Sequence, residues 1–510
     1  MLCPGRFCPP PLKPTAVALL LLAFACSPVY AASGRLVLSV VDRETRKPLY
    51  CRMHLRGPGD RPRRPDRVPF WHDHFVVPGE ITLQLPLGQY TFVLERGPEY
   101  LVREGNFTIN PFADDSKQVD MKRFIDMAEA GWYSGDLYVR RPVLEIEPLM
   151  LADDLHLAEI ITWGNDRGDR QSLPPQLQKQ PVAVFDGNRC YRVGNGRVVH
   201  SGNELLVLGT SGAIPSAESE SRDWPTLLEP LAHSEDSWVD LTAPFWWDLP
   251  ALVAHEEVDS IELAHRHFGR EAIIDNEADG RPRDRARYPR AWGSGQWSHH
   301  VYFQLLEAGL RIAPTAGSGS GLAPNPIGYN RIYAYVGDDF SHQAWWDAVR
   351  AGRVVVTNGP LLQPIVHGER PGATFHAESG SAEFEIGLTL STRERISYLE
   401  IIQNGTVAHS IRFEEYSKSG RLPKLKFDRS GWFLVRAVTD LNQTFRFGMT
   451  GPYFVQIGYE QRVSRKACQF FLDWIDQREK QVEAAGGKQL RWLQEAREFW
   501  QRRAEQATVE

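Results

Sequence analysis

The stretch GWYSGDLYVRRP, residues 131–142, places three chemically capable side chains at alternating positions behind a small-residue turn. Asp136, Tyr138 and Arg140 are two residues apart, so on a β-strand they share one face. Histidines at the second and third of these positions would form a metal site. A phenol is a poor ligand for zinc or manganese, however, and a guanidinium keeps its proton and cannot coordinate. The strand therefore has the spacing of a metal site but unsuitable side chains at two positions.

The positive charge of Arg140 sets an electrostatic limit on this strand. Two like unit charges about 4 Å apart repel by about 4 kcal/mol at an intermediate dielectric, so Arg140 disfavours a neighbouring dication. The same arithmetic allows the guanidinium to replace a metal's charge by pairing with carboxylates.

Other segments supply imidazoles and carboxylates. His265 and His267 are two residues apart in AHRHF, and Glu204 lies in SGNELLVLG. Two imidazoles with one or two carboxylates suffice for a divalent metal with an open position for water. Without a metal, the same groups could act as general acid or base. Further candidates follow predicted strands and could contact a substrate, with the tryptophan as a stacking platform: Trp163, Asp166, Asp240 and Asp248.

Hydrophobic periodicity divides the 510 residues into several units, more than one core can accommodate. Alternating runs predict a β-sandwich over residues 35–125 and a second β-sandwich over 361–457. Between them, residues 130–360 alternate short apolar runs with helical stretches, which is typical of a parallel α/β barrel or layered sheet. Residues 464–507 show two apolar helical faces separated by AAGG and predict a helical hairpin.

The N-terminus predicts export. Arg6 and Lys13 precede an apolar run, and Val29 and Ala31 fit signal-peptidase cleavage after residue 31. The run is short for a bilayer crossing, so we expect a periplasmic or extracellular protein without a stable membrane span. The net charge of −6 disfavours nucleic acid as a partner. The three cysteines beyond the leader have no zinc or disulfide spacing and are expected to be buried thiols.

Several central segments together resemble one known family. GWYSGDLYVRRP, LMLADDLHLAEIITWGND, VDSIELAHRHF and WWDAVRAGRVVVTNGPLL occur in the order found in the CehA/McbA-like branch of the PHP (polymerase and histidinol phosphatase) metallohydrolase superfamily. The likeness spans residues 130–368. The segments VVDRETRKPLYCRMHL and LPLGQYTFVLERGPEY resemble carboxypeptidase-regulatory-like β-sandwich modules.

The resemblance implies a distorted (β/α)₇ barrel that hydrolyses an ester, amide or phosphoester with a divalent metal, zinc or manganese. It implies catalytic roles for Asp136, Glu204 and His267, with His265 as a further metal ligand. Substrate contacts are then expected from Arg140, Trp163, Asp166 and Asp248. The family pattern S-G-D-x-H-x-H-R stands here with Tyr138 and Arg140 at its two histidine positions.

Two alternatives to a metal-dependent hydrolase stay open. The first is a catalytically inactive barrel that binds a carbohydrate or other small molecule, or a cell-surface partner. The second is a metal-independent glycoside hydrolase using Asp136 and Glu204, which would need a carboxyl separation of about 5–9.5 Å.

The segment WHDH, residues 71–74, is a separate histidine pair in the N-terminal unit. His72 and His74 would share a strand face and could bind a metal, but a hairpin of the accessory sheet is the favoured interpretation.

If Tyr138 and Arg140 occupy former ligand positions, changing both to histidine should raise the affinity for zinc or manganese, because two imidazoles replace a phenol and a cation. Metal titration of the Tyr138→His, Arg140→His variant against wild type measures this. Equal affinities would mean that the site was located wrongly.

Overall fold

A computed structural model describes residues 33–165, 171–209, 223–228, 237–277 and 279–510. Within these ranges the protein is a mixed α/β structure in which strands predominate, with several sheets and a C-terminal pair of helices. The predicted signal peptide, residues 1–31, lies outside the described residues.

The N-terminal unit consists of two sheets that face each other. Strands β1, β6 and β9 form one sheet, and β4, β5, β2, β7 and β8 form the other, with β3 paired to β2. The strands are β1 (Ser33–Asp42), β2 (Tyr50–Gly57), β3 (Arg61–Pro62), β4 (Phe70–Trp71), β5 (His74–Pro78), β6 (Glu80–Pro86), β7 (Gly88–Glu95), β8 (Arg103–Ile109) and β9 (Asp114–Met121).

Alternation of apolar side chains explains this arrangement. Buried and exposed positions alternate along β6, so its apolar face packs inward while its polar face meets solvent. Cys51, Met53 and Phe75 of the second sheet and Leu36 and Leu83 of the first share one hydrophobic core. The predicted two-layered β unit is therefore present.

The central unit alternates strands and helices. Its elements are β10 (Trp132–Val139), α1 (Ile146–Ala152), β11 (Leu157–Gly164), α2 (Pro175–Lys179), β12 (Val182–Phe185), β13 (Arg189–His200), β14 (Asn203–Leu208), α3 (Trp224–Leu228), β15 (Trp238–Leu241), α4 (Leu249–Ala254), β16 (Ser260–Ala264), α5 (Trp292–Glu307), β17 (Ala313–Ala316), β18 (Arg331–Tyr335), α6 (His342–Arg350) and β19 (Val354–Thr357). Short 3-10 helices cover Ala128–Ala130 and Val143–Glu145.

The central sheet is mixed rather than wholly parallel. Its order is β17-β16-β15-β14-β13-β11-β10-β18-β19. Strands β10, β11 and β13 are mutually parallel, as are β15, β16 and β17, but β14 runs antiparallel to both of its neighbours. A parallel bridge between Val139 and Ser320 brings the end of β10 to the loop after β17. A closed seven-stranded barrel stays a prediction.

The sheet continues into the C-terminal β region because β19 pairs with β28. The remaining elements are β20 (Leu361–Val366), β21 (Thr374–Ala377), β22 (Ala382–Phe384), β23 (Ile386–Ser391), β24 (Ile396–Gln403), β25 (Thr406–Ile411), α7 (Phe413–Ser419), β26 (Leu425–Phe427), β27 (Gly431–Thr439), β28 (Phe447–Thr450), β29 (Tyr453–Ile457), α8 (Arg465–Ala484) and α9 (Leu490–Glu505). Pairs β20–β23 and β22–β26 lie outside the large sheet and contribute to a second core with Phe384, Phe427 and Phe433.

Buried ion pairs join the N-terminal and central units. Asp154, which follows α1, accepts hydrogen bonds from Arg96 at 2.7 Å and from Arg123 and Arg189 at 2.6 Å each. Arg96 and Arg123 belong to the N-terminal unit and its connection, whereas Arg189 begins β13. Asp154 therefore fixes the two units against each other.

Helices α8 and α9 form the predicted hairpin and pack on α4 and α5. Trp500 Nε1 donates to the Pro250 carbonyl at 2.9 Å, and the His255 and Trp492 rings stack. Cys51, Cys190 and Cys468 are buried free thiols, as expected. Among the described residues, every helix lacks either the length or the apolar character for crossing a bilayer.

Asp248, at the start of α4, anchors this hairpin. Its side chain is fully buried and accepts from Arg478 Nε of α8 at 2.6 Å. Asn203 and Trp224 each donate to Asp248 Oδ2 at 2.9 Å. A single carboxylate therefore connects α8 to α3, α4 and β14.

Replacing Asp248 with asparagine should lower the free energy of unfolding by about 3–5 kcal/mol, because Arg478 would keep a buried charge without a counterion. Urea unfolding followed by circular dichroism measures the change. Glu495→Gln, which removes an exposed pair with Arg491 on α9, is the matched control and should cause little change. Equal effects of the two substitutions would contradict the anchoring role.

Candidate functional site

Glu204 of β14 is the centre of a buried hydrogen-bonded cluster. Tyr138 of β10 donates its hydroxyl to Glu204 Oε1 at 2.6 Å, and Arg197 Nε of β13 donates to the same oxygen. Arg266, which follows β16, donates from Nε to Oε2 at 3.0 Å, and the Thr242 hydroxyl contacts Oε2 at 3.2 Å. Both oxygens of this carboxylate are therefore taken up by protein donors.

The charges of this cluster keep Glu204 ionised and Tyr138 neutral. Burial favours the neutral acid, but Arg266 and Arg197 outweigh it and hold the pKa of Glu204 below its ordinary value. Burial and the Glu204 carboxylate raise the pKa of Tyr138 well above its ordinary value. Tyr138 therefore remains a phenol that donates a hydrogen bond, and two guanidinium groups supply the positive charge beside Glu204.

Asp136 of β10 uses its carboxylate to hold backbone. Oδ1 accepts the N–H groups of Tyr138 and Ser318 at 3.0 Å each, and Oδ2 accepts that of Gly328 at 2.7 Å. Burial raises the pKa of Asp136 to about 6, although these hydrogen bonds oppose the rise. The carboxyl group thus connects β10 to both ends of the segment that joins β17 to β18.

His265 and His267 lie in the loop after β16, with ring centroids 5.4 Å apart. His265 Nε2 lies 3.1 Å from the Ser298 hydroxyl of α5, and both rings pack against Phe245. Burial lowers the pKa of His267 to about 4 and that of His265 well below its ordinary value. Both are therefore neutral imidazoles surrounded by aromatic side chains.

The structure thus brings the predicted ligands into one region without assembling a metal site from them. Within the described residues, the ligand atoms of Asp136, Glu204, His265 and His267 do not form a group close enough to surround one ion. The donors that contact Glu204 and the backbone amides that contact Asp136 instead occupy these carboxylates.

A buried pair of carboxyl groups lies next to this cluster. Asp240 of β15 accepts hydrogen bonds from the hydroxyls of Ser260 and of Thr315, the latter at 2.5 Å. Its Oδ2 and both oxygens of Glu262 in β16 have no N–H or hydroxyl donor in the described part of the chain. Burial raises the pKa of Asp240 to about 7, and burial together with Asp240 and Asp136 raises that of Glu262 well above its ordinary value. One proton shared by the pair can satisfy Asp240 Oδ2 and one of the two oxygens of Glu262.

Sequence reasoning included Asp240 as a candidate but missed Glu262, Arg197 and Arg266. Glu262 had a visible signal, since it is the one charged residue in the apolar run SIELA. A charged residue in a strand that is buried throughout needs a partner or a proton. The two arginines had no comparable signal because their approach to Glu204 depends on the tertiary fold.

The residues predicted to contact substrate have varied surroundings. Trp163 is buried, donates from Nε1 to the Gly194 carbonyl at 2.7 Å, and covers Gly196 so closely that a Cβ there would lie 2.0 Å from the indole. Asp248 belongs to the hairpin anchor described above. Arg140 is half-buried, and its backbone N–H donates to the Ser320 carbonyl at 2.7 Å. Asp166 lies outside the described residues.

A cleft of about 250 Å³ separates the N-terminal sheet from the central unit. The hairpin β4–β5 borders it and is fixed by a 2.9 Å hydrogen bond from Trp71 Nε1 to the Ala323 carbonyl. The N-terminal side contributes imidazoles and a carboxylate, and the central side contributes guanidinium groups: His54, His72, Asp73 and His74, with Arg266 and Arg270 opposite.

Three of these cleft residues could hold a metal ion. The ligand atoms of His54, Asp73 and His74 all lie within 4.8 Å of one another, and the three residues are buried. The segment WHDH does form the predicted hairpin, with Trp71 paired to His74. His72, however, lies in the turn. The residue that lies beside His74 is His54 of β2, whereas the sequence pattern predicted His72 there.

No sequence family and no curated protein matches the chain. The solved structure of the Bacillus anthracis TIE protein aligns with a TM-score of 0.14 and 17% identity, over 22% of this chain and 20% of that chain. A likeness of this extent shows neither a shared fold nor a shared function.

The carboxyl pair predicts an unusual pH dependence of stability. An Asp240 pKa of about 7 means that the folded protein keeps a proton that the unfolded chain releases near pH 4. The free energy of unfolding should therefore fall as the pH rises from about 4 to about 7. Glu262→Gln supplies a permanent donor to Asp240 and removes one ionisation, so this variant should melt about 1–3 °C above wild type at pH 8.

Scanning fluorimetry at pH 5 and pH 8 measures this effect, with the exposed Glu256→Gln as control. The advantage of Glu262→Gln should shrink at pH 5, where the native pair already holds its proton. A loss of melting temperature that is equal at both pH values would show that the pair shares no proton.

Proposed function

We propose that this chain is an exported PHP-like protein of the CehA/McbA-like type in which two arginines have taken the electrostatic role of the metal, and that it binds a ligand rather than hydrolysing one. The observation that carries the proposal is the engagement of Glu204 by Tyr138, Arg197 and Arg266. This proposal corresponds to the inactive-barrel alternative. Unlike the metal-dependent hydrolase, it predicts that added divalent metal does not stimulate hydrolysis.

The donor chemistry around Glu204 does not suit a catalytic metal. A metal that activates water needs ligands with accessible lone pairs and an open coordination position. The carboxylate oxygens of Glu204 accept hydrogen bonds from two guanidinium groups and a phenol, and those of Asp136 accept hydrogen bonds from backbone amides. A dication placed here would add its charge to two fixed positive charges at short range.

The cleft beside the N-terminal sheet is the proposed binding place. Arg266 contributes to both regions, since its Nε contacts Glu204 while its side chain lines the cleft. Arg270 lines the same cleft and is bound by Glu95. The cleft also contains the Asp73 and Glu271 carboxylates, so an acidic small molecule would bind by sharing Arg266 and Arg270 with their present partners. A carbohydrate bound by stacking is less well supported, because Trp163 is buried against Gly196.

The proposal predicts no metal-dependent hydrolysis at the central cluster. Full-length protein without its leader should turn over p-nitrophenyl acetate, p-nitrophenyl phosphate and an anilide at the same background rate with or without MnCl₂ or ZnSO₄. Any residual rate should persist in Glu204→Gln, assayed at a temperature where circular dichroism shows that the variant is folded. A metal-stimulated rate that is lost in Glu204→Gln would overturn the proposal.

The binding half of the proposal has its own measurement. Citrate, inorganic phosphate and glucuronate should raise the melting temperature of the wild-type protein at concentrations where glucose and glycerol do not, because only the acids can pair with the arginine wall. Stabilisation by neutral sugars alone would instead support carbohydrate binding.

A further inference from the structure

We propose that His54, Asp73 and His74 form a zinc site in the wall of this cleft, with His72 as a fourth ligand from the solvent side. The site lies in the N-terminal unit and contains none of the residues around Glu204, although it lines the cleft that we propose as the ligand-binding place. It also differs from the metal centre that the family resemblance implies.

The strand register builds this site. Strands β2 and β5 are antiparallel neighbours in which His54 and His74 lie directly opposite each other. Directly opposed residues project to the same face of a sheet, and the two imidazole centroids are 5.1 Å apart. The two-residue turn between Trp71 and His74 then places the Asp73 carboxylate between the rings.

The donor distances suit a small tetrahedral ion. His54 Nδ1 lies 3.1 Å from Asp73 Oδ2, and His74 Nδ1 lies 3.1 Å from Asp73 Oδ1. Ligands held about 2.0–2.1 Å from a tetrahedral zinc are about 3.3–3.4 Å apart. The two contacts run to different oxygens of Asp73, and the ligand atoms of the three residues lie within 4.8 Å of one another, so side-chain rotation has to bring them to this spacing.

The orientation of His54 is a second observation that points to a ligand. Despite the 3.1 Å separation, its buried Nδ1 makes no hydrogen bond of acceptable geometry in the described structure. Side chains of His54, Asp73 and His74 are 6%, 10% and 4% exposed, so an unsatisfied donor or acceptor here is costly.

His72 supplies the exposed part of the site. Its φ of +50° places it in the left-handed region, where turns of this kind favour glycine. Its Nδ1 is 3.6 Å from Asp73 Oδ1, and its side chain is 54% exposed. A ring in this position can approach an ion held by the three buried residues or leave the fourth position to water.

The neighbouring arginines are already paired with carboxylates, so the surroundings of the site are close to electrically balanced. The pairs are Arg52 with Glu95 and Asp153, Arg56 with Asp60, and Arg270 with Glu95 and Glu271. Arg56 also lies 3.8 Å from Asp73 Oδ2, so a zinc ion bound to Asp73 would have to displace this second ion pair of Arg56. Arg52 Nε donates a hydrogen bond to His54 Nε2 at 3.3 Å. Coordination through Nδ1 would place the ring proton on Nε2, so zinc binding would also have to break this hydrogen bond.

Imidazole and carboxylate ligands at tetrahedral spacing favour zinc over magnesium or calcium, which prefer oxygen ligands at higher coordination numbers. The competing arrangement contains protons instead of a metal, with Asp73 accepting an N–H from each histidine. The two arrangements differ in whether the protein binds zinc.

Metal titration of the full chain without its leader tests the proposal. After chelator treatment and dialysis, wild-type protein titrated with ZnSO₄ against a chromophoric chelator should bind one equivalent of zinc. Asp73→Asn and His74→Gln should weaken binding at least tenfold, and His72→Ala less strongly. His376→Gln, an exposed histidine elsewhere, and Glu204→Gln should leave zinc affinity unchanged.

Cobalt(II) provides a readout that does not depend on the stability of the variants. Wild-type protein loaded with CoCl₂ should show the intense visible absorption of a tetrahedral ion, and His72→Ala, altered only at a partly exposed turn residue, should shift that band. Absence of stoichiometric zinc binding, or zinc affinity that is unchanged in folded Asp73→Asn, would overturn the site. Zinc binding lost in Glu204→Gln that circular dichroism shows to be folded would overturn both this site and the proposed function.

Discussion

A carboxylate in the interior of a protein is stable only when its charge is compensated. At Glu204 the compensation comes from two arginines, and these occupy the oxygens that a catalytic metal would need. Strand β14 brings the carboxylate, β13 and the loop after β16 bring Arg197 and Arg266, and β10 brings Tyr138. Four chain segments therefore meet at one charge. Breaking any of these contacts would leave a buried charge or a buried phenol unsatisfied, so the cluster holds the sheet together while it occupies the groups that a catalytic metal would need.

The surrounding polar groups follow the same constraint. Asp136 is satisfied by backbone amides, whereas burial and mutual repulsion raise the pKa values of Asp240 and Glu262, which favours retention of a proton by the pair. Three kinds of compensation, by guanidinium, by amide and by proton, thus occur within one interior. In the N-terminal unit, the imidazoles of His54 and His74 and the guanidinium of Arg56 lie next to the Asp73 carboxylate.

Much of the architecture could be predicted from local patterns. Period-two alternation indicated the N-terminal sheets, and two apolar helical faces indicated α8 and α9. The antiparallel course of β14 was not predictable, because an apolar run such as ELLVL has the same appearance in either direction. The continuation of the central sheet through the β19–β28 pair joins segments about 90 residues apart and has no local signal.

The chemistry of the site was harder to predict than its location. The sequence pattern suggested Arg140 as the cation that pairs with carboxylates, whereas the guanidinium groups on Glu204 belong to Arg197 and Arg266, whose approach depends on which segments the fold brings near Glu204. Likewise, His72 and His74 are two residues apart, yet the positive φ of His72 places it in a turn. The actual partner of His74 is His54, twenty residues earlier, and only the β2–β5 register reveals it.

Anomalous diffraction from crystals grown with saturating ZnSO₄ would test most directly whether arginines have replaced the metal at Glu204. The account predicts no anomalous peak within coordination distance of Glu204 or Asp136, with Arg197 and Arg266 still bound to the carboxylate. A zinc peak bonded to Glu204, with either arginine displaced, would contradict it.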